Sequence, residues 1–170
     1  TLAIGKNTIT VQYNDEAYSL KGVRLVDFTD TAGYREKLAI QYLATAAYFR
    51  PAALFNPEQQ ITREEYVALL VRMLHETPVQ TFQNPYPDVD SKRWSASSVQ
   101  MLKSMKILPE NGNFNPEGTL TQKEAAVWFS KASQAALLAI ADDEPLRRVD
   151  VVRWLIKDSR VQQDLNALRS

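Results

Sequence analysis

Two tetrads, Thr62-Arg63-Glu64-Glu65 and Thr121-Gln122-Lys123-Glu124, have Thr-x-x-Glu spacing just ahead of apolar helical stripes. A Thr hydroxyl so placed accepts from the N3 amide while the Glu carboxylate takes the N-cap amide, a cap worth about 1 kcal/mol. Thr62, Glu65, Thr121 and Glu124 are therefore read as residues that start helices. Arg63 needs a separate reason, because a cation in the first turn opposes the helix dipole. Other candidates fall short of chemistry. Asp88-Val89-Asp90-Ser91-Lys92 begins like a calcium loop, but Arg93 stands where Gly is needed and Val99 where a bidentate Glu is needed. Asp90 or Ser91 is instead expected to cap the next helix. Asp142-Asp143-Glu144, ahead of Pro145, reads as a solvated turn, and Gly5-Lys6-Asn7-Thr8 lacks the glycine spacing of a phosphate loop. One His (His75) and no Cys exclude thiolate zinc sites and disulfides and leave little for a histidine-driven triad. No constellation reads as catalytic, and no cofactor or metal is expected.

These residues must be held by elements, and the hydrophobic period changes along the chain. Ile9, Val11 and Tyr13 alternate with polar residues, Asn14-Asp15 signals a turn, and Tyr18 and Leu20 resume the alternation. A β-hairpin is expected at about 8–21; being marginal alone, it should pack on the helical body or belong to a preceding domain. From residue 33 onward the period is helical. Stripes run to about Tyr48, through Tyr66–Leu74, through Val99–Met105, from Val127 to Ile140 and around Val152–Ile156, with Ser159 placed to cap a last helix to Leu168. All eight prolines fall between these segments. The 20 Lys and Arg balance 20 Asp and Glu, which argues against a nucleic-acid binder, and no apolar run approaches membrane-spanning length. The N-terminus Thr1-Leu2-Ala3-Ile4-Gly5 carries neither initiator Met nor leader, so the chain reads as a mature protein or an excised piece.

The informative pattern is internal repetition. Phe55-Asn56-Pro57-Glu58 recurs as Phe114-Asn115-Pro116-Glu117, 59 residues on, and Ile61-Thr62-Arg63-Glu64-Glu65 aligns with Leu120-Thr121-Gln122-Lys123-Glu124. Upstream, Phe28-Thr29-Asp30 aligns with Tyr86-Pro87-Asp88. Each unit reads aromatic-x-Asp, helix, Phe-Asn-Pro-Glu loop, Thr-x-x-Glu, helix. A shortened third copy is read from Leu146-Arg147-Arg148-Val149-Asp150: either the tail of the fourth helix (about 132–141) substitutes for its missing first helix, the favoured reading, or the likeness is spurious.

The order aromatic-x-Asp, Trp94 opening a helix, Phe-Asn-Pro, then Ile-Thr-Arg-Glu-Glu resembles the S-layer homology domain. The resemblance implies a mainly α fold of tandem helix-loop-helix repeats packed as a pseudo-threefold bundle, with the short N-terminal β-hairpin outside it. The expected divisions are 1–27 for the hairpin and linker, 28–84 and 85–141 for two repeats, and 142–170 for a partial third repeat plus a terminal helix. It implies a non-catalytic anchoring module on a secreted bacterial surface protein, binding cell-wall polysaccharide (a pyruvylated secondary polymer or a peptidoglycan-linked glycan) in grooves between repeats. Other surface-layer proteins are further possible partners, and a degenerate scaffold for protein assembly or domain spacing is the alternative. In the resembling family the arginine at the Arg63 position faces the glycan's acidic ketal, a task suited to a guanidinium fork; a salt bridge to a neighbouring repeat is the competing reading. Arg148 fits the same position in the third copy, while Gln122 and Lys123 occupy it and the next in the second. Trp94 is read as a packing residue that could otherwise stack on a sugar; Tyr48, Phe49 and Arg50 are candidate groove residues. The family's usual glycines are absent from Phe49–Leu54, and only Gly112 remains in the second loop, so at most one or two competent glycan sites are expected.

Overall fold

Alternation at the N-terminus produces a hairpin somewhat longer than expected. In the computed structural model, which describes residues 2–78, 81–133, 140 and 143–170, strands β1 (Gly5–Tyr13) and β2 (Glu16–Arg24) pair antiparallel, with Ile9 opposite Leu20 and Val11 opposite Tyr18. Asn14 and Asp15 make the turn at φ 48° and 63°, the two left-handed residues a type I′ hairpin requires. The hairpin was expected to pack on the helical body or belong to a preceding domain; both strands meet the C-terminal helix (Ser159–Arg169), while among the described residues the apolar side chains Ile9, Val11, Tyr13, Tyr18 and Leu20 are all exposed.

The rest is mainly helical. Six helices are described: α1 (Lys37–Thr45), α2 (Arg63–Met73), α3 (Ala96–Ser104), α4 (Gln122–Ser133), α5 (Arg148–Leu155) and α6 (Ser159–Arg169). Helix α1 is shorter than its apolar stripe, because the chain turns left-handed at Ala47. His75 and Lys106 play the same part after α2 and α3, at φ 57° and 59°. These are the positions where helices usually place glycine. The expected continuation of α4 toward Ile140 runs through 134–139, outside the described residues, as does the proposed stand-in helix at 132–141 beyond Ser133. Two caps differ from expectation. Asp158, not Ser159, caps α6 by accepting from the Arg160 amide, because Asp158 alone has the extended backbone of an N-cap. Neither Asp90 nor Ser91 caps α3, which begins only at Ala96; Asp90 closes a local turn on the Lys92 amide instead.

The chain divides into two units, residues 1–57 with 152–170, and residues 58–151. In the first, Phe55 is fully buried, edge-on to Phe28 and Phe49 at 5.4 and 4.9 Å, with Ile40, Leu43, Leu155, Val161 and Leu165 buried. In the second, Tyr66, Trp128 and Phe114 form a stacked series extended by Tyr86. The Tyr66 hydroxyl donates to the Ala125 carbonyl, and burial pushes its pKa well up.

Candidate functional site

The aromatic-x-Asp and Phe-Asn-Pro-Glu motifs turn out to be two halves of one device. Asp30 accepts the amides of Phe55 and Asn56 at 2.8 and 2.6 Å. Asp88 accepts those of Phe114 and Asn115 at 2.9 and 2.7 Å. Asn56 and Asn115 both adopt φ near 55°, a conformation that Asn tolerates better than other non-glycine residues. The carboxylate thus pins a loop whose Asn makes the bend and whose Phe fills the core.

Beyond each loop, the short segments leading into α2, α4 and α5 bridge one another pairwise. Gln60 pairs with Arg147, Thr62 with Thr119, and Thr121 with Pro145. The Ile61 amide donates to Leu146, and the Leu146 amide donates to Leu120. These three side chains are essentially fully buried, so the three segments close a ring inside the second unit. The caps on its helices differ in detail. At α2 the reciprocal box is complete: Glu65 donates its amide to Thr62 Oγ1, and Thr62 donates its own to the Glu65 carboxylate. At α4 the Thr121 hydroxyl accepts from the Glu124 amide, but the Glu124 carboxylate is turned toward Arg63. At α5 Asp150 accepts the Arg147 amide as Glu65 accepts that of Thr62, while the Arg147 guanidinium pairs with Asp150 and Glu58.

The inter-repeat cations are where recognition of an acid would be sought. Arg63 lies 2.7 Å from the Glu124 carboxylate and donates from Nε to the Phe114 carbonyl at 2.5 Å. Its guanidinium sits 4.9 Å from the Trp128 ring centroid and 5.5 Å from that of Phe114, and its side chain is only 12% exposed. Nearby, Arg93 holds Glu64 through Nε and Nη2 at 2.8 and 3.2 Å and reaches Glu117 at 2.7 Å. Ser95 donates to the same Glu64 carboxylate at 2.6 Å. Burial alone would lift the Glu64 pKa, but bonds from Arg93, Ser95 and Trp94 outweigh it and hold the carboxyl below its ordinary value. In the first unit Glu36 repeats the theme: burial opposes its charge, yet Arg153 and Arg35 hold its pKa at about 2.

The remaining candidates scatter. Trp94 is 59% exposed, so its expected packing role is corrected: it precedes α3, bonded through its side chain to Glu64 with more than half of the residue in solvent. Tyr48 and Phe49 are the reverse case. Expected at a groove, they are buried, Tyr48 donating to Asp164 and Phe49 packing on Phe55. Lys123 and Arg50 are exposed, in different units. Gln122 and Arg148 are half-buried at the first positions of α4 and α5. Glu64 and Arg93 were not singled out from sequence; an acid in the first helical turn is ordinary, so nothing local marks Glu64 as a hub. Among the described residues no group of three or more His, Asp or Glu could hold a metal, and no helix is long and apolar enough to cross a membrane. Asp142 of the acidic turn lies outside them. A cleft of about 220 Å³ at the base of the hairpin, lined by Lys6, Thr8, Lys21 and Arg169, contains none of the repeat-motif residues.

Comparison with protein families adds a specific match: residues 85–126 fit the model of the S-layer homology domain, a span that holds the Asp88 clamp, α3 and the start of α4. Domains of this type are non-catalytic modules that attach proteins to the bacterial cell surface through cell-wall polymers. No curated protein matches the chain.

Proposed function

We propose that the chain is a non-catalytic module anchoring a larger extracellular protein to bacterial cell-wall polysaccharide, either a pyruvylated secondary polymer or a peptidoglycan-linked glycan. The observation that carries this reading is the family match at 85–126. Residues 28–84 and 142–170 are read as divergent copies of that domain. The paired Asp30 and Asp88 clamps and the ring through Leu146 support this reading. The exposed Trp94 ring offers a flat apolar face of the kind that stacks on a pyranose. Lys123 and Arg50 offer exposed cations that no ion pair engages among the described residues, and Arg148 opens the third copy. An engaged Arg63 would meet an acidic sugar only in competition with Glu124.

That engagement favours a second reading, a degenerate scaffold for protein assembly or domain spacing, because Arg63 and Arg93 already hold carboxylates of the chain. Sedimentation with purified wall sacculi separates the two. Anchoring predicts that the chain pellets with sacculi, and that Trp94→Ala combined with Lys123→Ala and Arg148→Ala lowers the bound fraction at least fivefold in a variant whose circular dichroism shows it folded. No pelleting, or pelleting unchanged by the triple variant, overturns glycan anchoring through these residues. Arg63→Gln is a separate arm, expected to lower the urea midpoint because it removes a largely buried guanidinium from the half-buried Glu124 carboxylate and the Phe114 carbonyl, at a cost of about 1–2 kcal/mol.

A further inference from the structure

The hairpin presents an apolar face that the first unit leaves open. Register puts Ile9 beside Leu20 and Val11 beside Tyr18, with Tyr13 following on the same side. Their exposures are 43, 65, 50, 52 and 68%. The other face carries Lys6, Thr8, Thr10, Gln12, Ser19 and Lys21. Both faces of the hairpin are largely exposed, so five large apolar side chains stand in solvent on a face that, left uncovered, should be polar.

We infer that this face is the contact between two copies of the chain, which stack their hairpins face to face about a twofold axis near the Val11–Tyr18 pair. Three observations select a second copy over other occupants. First, the face is graded: aliphatic at the Ile9–Leu20 end and aromatic at the Tyr13 end. A twofold axis through its middle lays the aliphatic end of one copy on the aromatic end of the other, the self-complementarity an isologous interface needs. Second, the surface is sufficient. The five residues expose about 600 Å² per copy, so two copies can bury up to about 1,200 Å², the lower edge of stable interfaces. Third, the charges are wrong for a lipid surface. Lys6 and Lys21 lie on the opposite face, whereas a membrane-binding element rims its apolar side with cations. The apolar face sets one cation, Arg24 at the Gly5 end, against one acid, Glu16 at the Tyr13 end, a pairing that the twofold axis brings together between copies. On the apolar face the acid is Glu16, whose carboxylate accepts from the Tyr18 hydroxyl at 2.5 Å. Stacked two-stranded sheets at about 10 Å spacing would form a small sandwich and relieve the marginal stability of a lone hairpin. The inference does not rest on glycan anchoring; it concerns a different surface.

Sedimentation velocity on the full chain tests it, from about 1 to 200 μM, a range that brackets a micromolar constant. The expected result is a concentration-dependent shift from 19.3 kDa to twice that mass, abolished by Val11→Lys or Leu20→Lys. Because the chain has no cysteine, Val11→Cys gives an independent readout that survives a folding defect in the lysine variants. It should form a disulfide-linked dimer under mild oxidation, while Thr10→Cys on the opposite face should not. A monomer at every concentration overturns the inference. So does a dimer that the lysine variants leave intact, or equal cross-linking from both cysteine variants. A monomer would assign the face to another domain.

Discussion

At the scale of single residues, the most consequential groups are two buried carboxylates that no motif announces. Glu36 and Glu64 are 6 and 7% exposed, and burying an unpaired carboxylate would cost several kcal/mol. Each is instead fixed by arginine, Glu36 by Arg35 and Arg153, Glu64 by Arg93. Glu36 has a folded pKa of about 2 against an ordinary 4.5. Its folded value lies below its unfolded one, so its contribution is complete above about pH 4.5 and fades as pH falls toward 2. Glu64 and Asp158 shift in the same direction. Urea midpoints measured between pH 6 and 2 should fall through this window at nearly constant slope. The gap between the wild-type chain and Glu36→Gln should narrow as the pH drops. An unchanged gap would mean that Glu36 does not titrate with folding. Arg63 was the residue the sequence did flag, for a cation opposing the helix dipole. The structure pairs it with Glu124, a partner 61 positions away that no local pattern could name.

At the scale of elements, much of the order was legible because it depends on local chemistry. Hairpin and helices follow from the period of apolar residues, and the α2 cap follows from Thr62 and Glu65 at their spacing. The recurring Phe-Asn-Pro-Glu was visible as a repeat, but its cause was not: Asn56 and Asn115 must turn left-handed while an aspartate 26 or 27 residues earlier takes two amides. Sequence comparison detects the recurrence and not the hydrogen bonds. Trp94 and Tyr48 were misplaced for a related reason, since an aromatic residue beside a helix end has no pattern that fixes which way it points. The missing glycines have an energetic reading as well. Ala47 and Lys106 close α1 and α3 at φ 64° and 59°, where a side chain costs about 1 kcal/mol relative to glycine. Ala47→Gly and Lys106→Gly should therefore each stabilise the chain by about 0.5–1 kcal/mol, despite the general entropic penalty of glycine. Thermal melts would show the gain, and a loss at both positions would mean that these helix ends close differently.

At the scale of the molecule, the question is whether the shortened third copy is part of the architecture or a sequence coincidence. Its first helix and loop have no counterpart among the described residues, yet its lead-in segment completes the ring with those before α2 and α4. Ring closure makes the three segments interdependent: removing one leaves backbone amides and carbonyls of the other two without partners, at about 1–3 kcal/mol for each buried group. Ile61, Leu120 and Leu146 fill equivalent positions at 0, 1 and 0% exposure. If the third copy is integral, Leu146→Ala should cost as much as Ile61→Ala or Leu120→Ala, about 3 kcal/mol each from lost burial and the cavity left behind. Because the three side chains share one hub, pairs of these substitutions should be non-additive by at least 0.5 kcal/mol. Urea unfolding of the three single and three double variants measures both quantities. A Leu146→Ala loss below about 1 kcal/mol, with additive doubles, would reduce the third copy to a strand of chance similarity. Matched losses with coupling would show that two and a half repeats suffice where a full set of three would be expected.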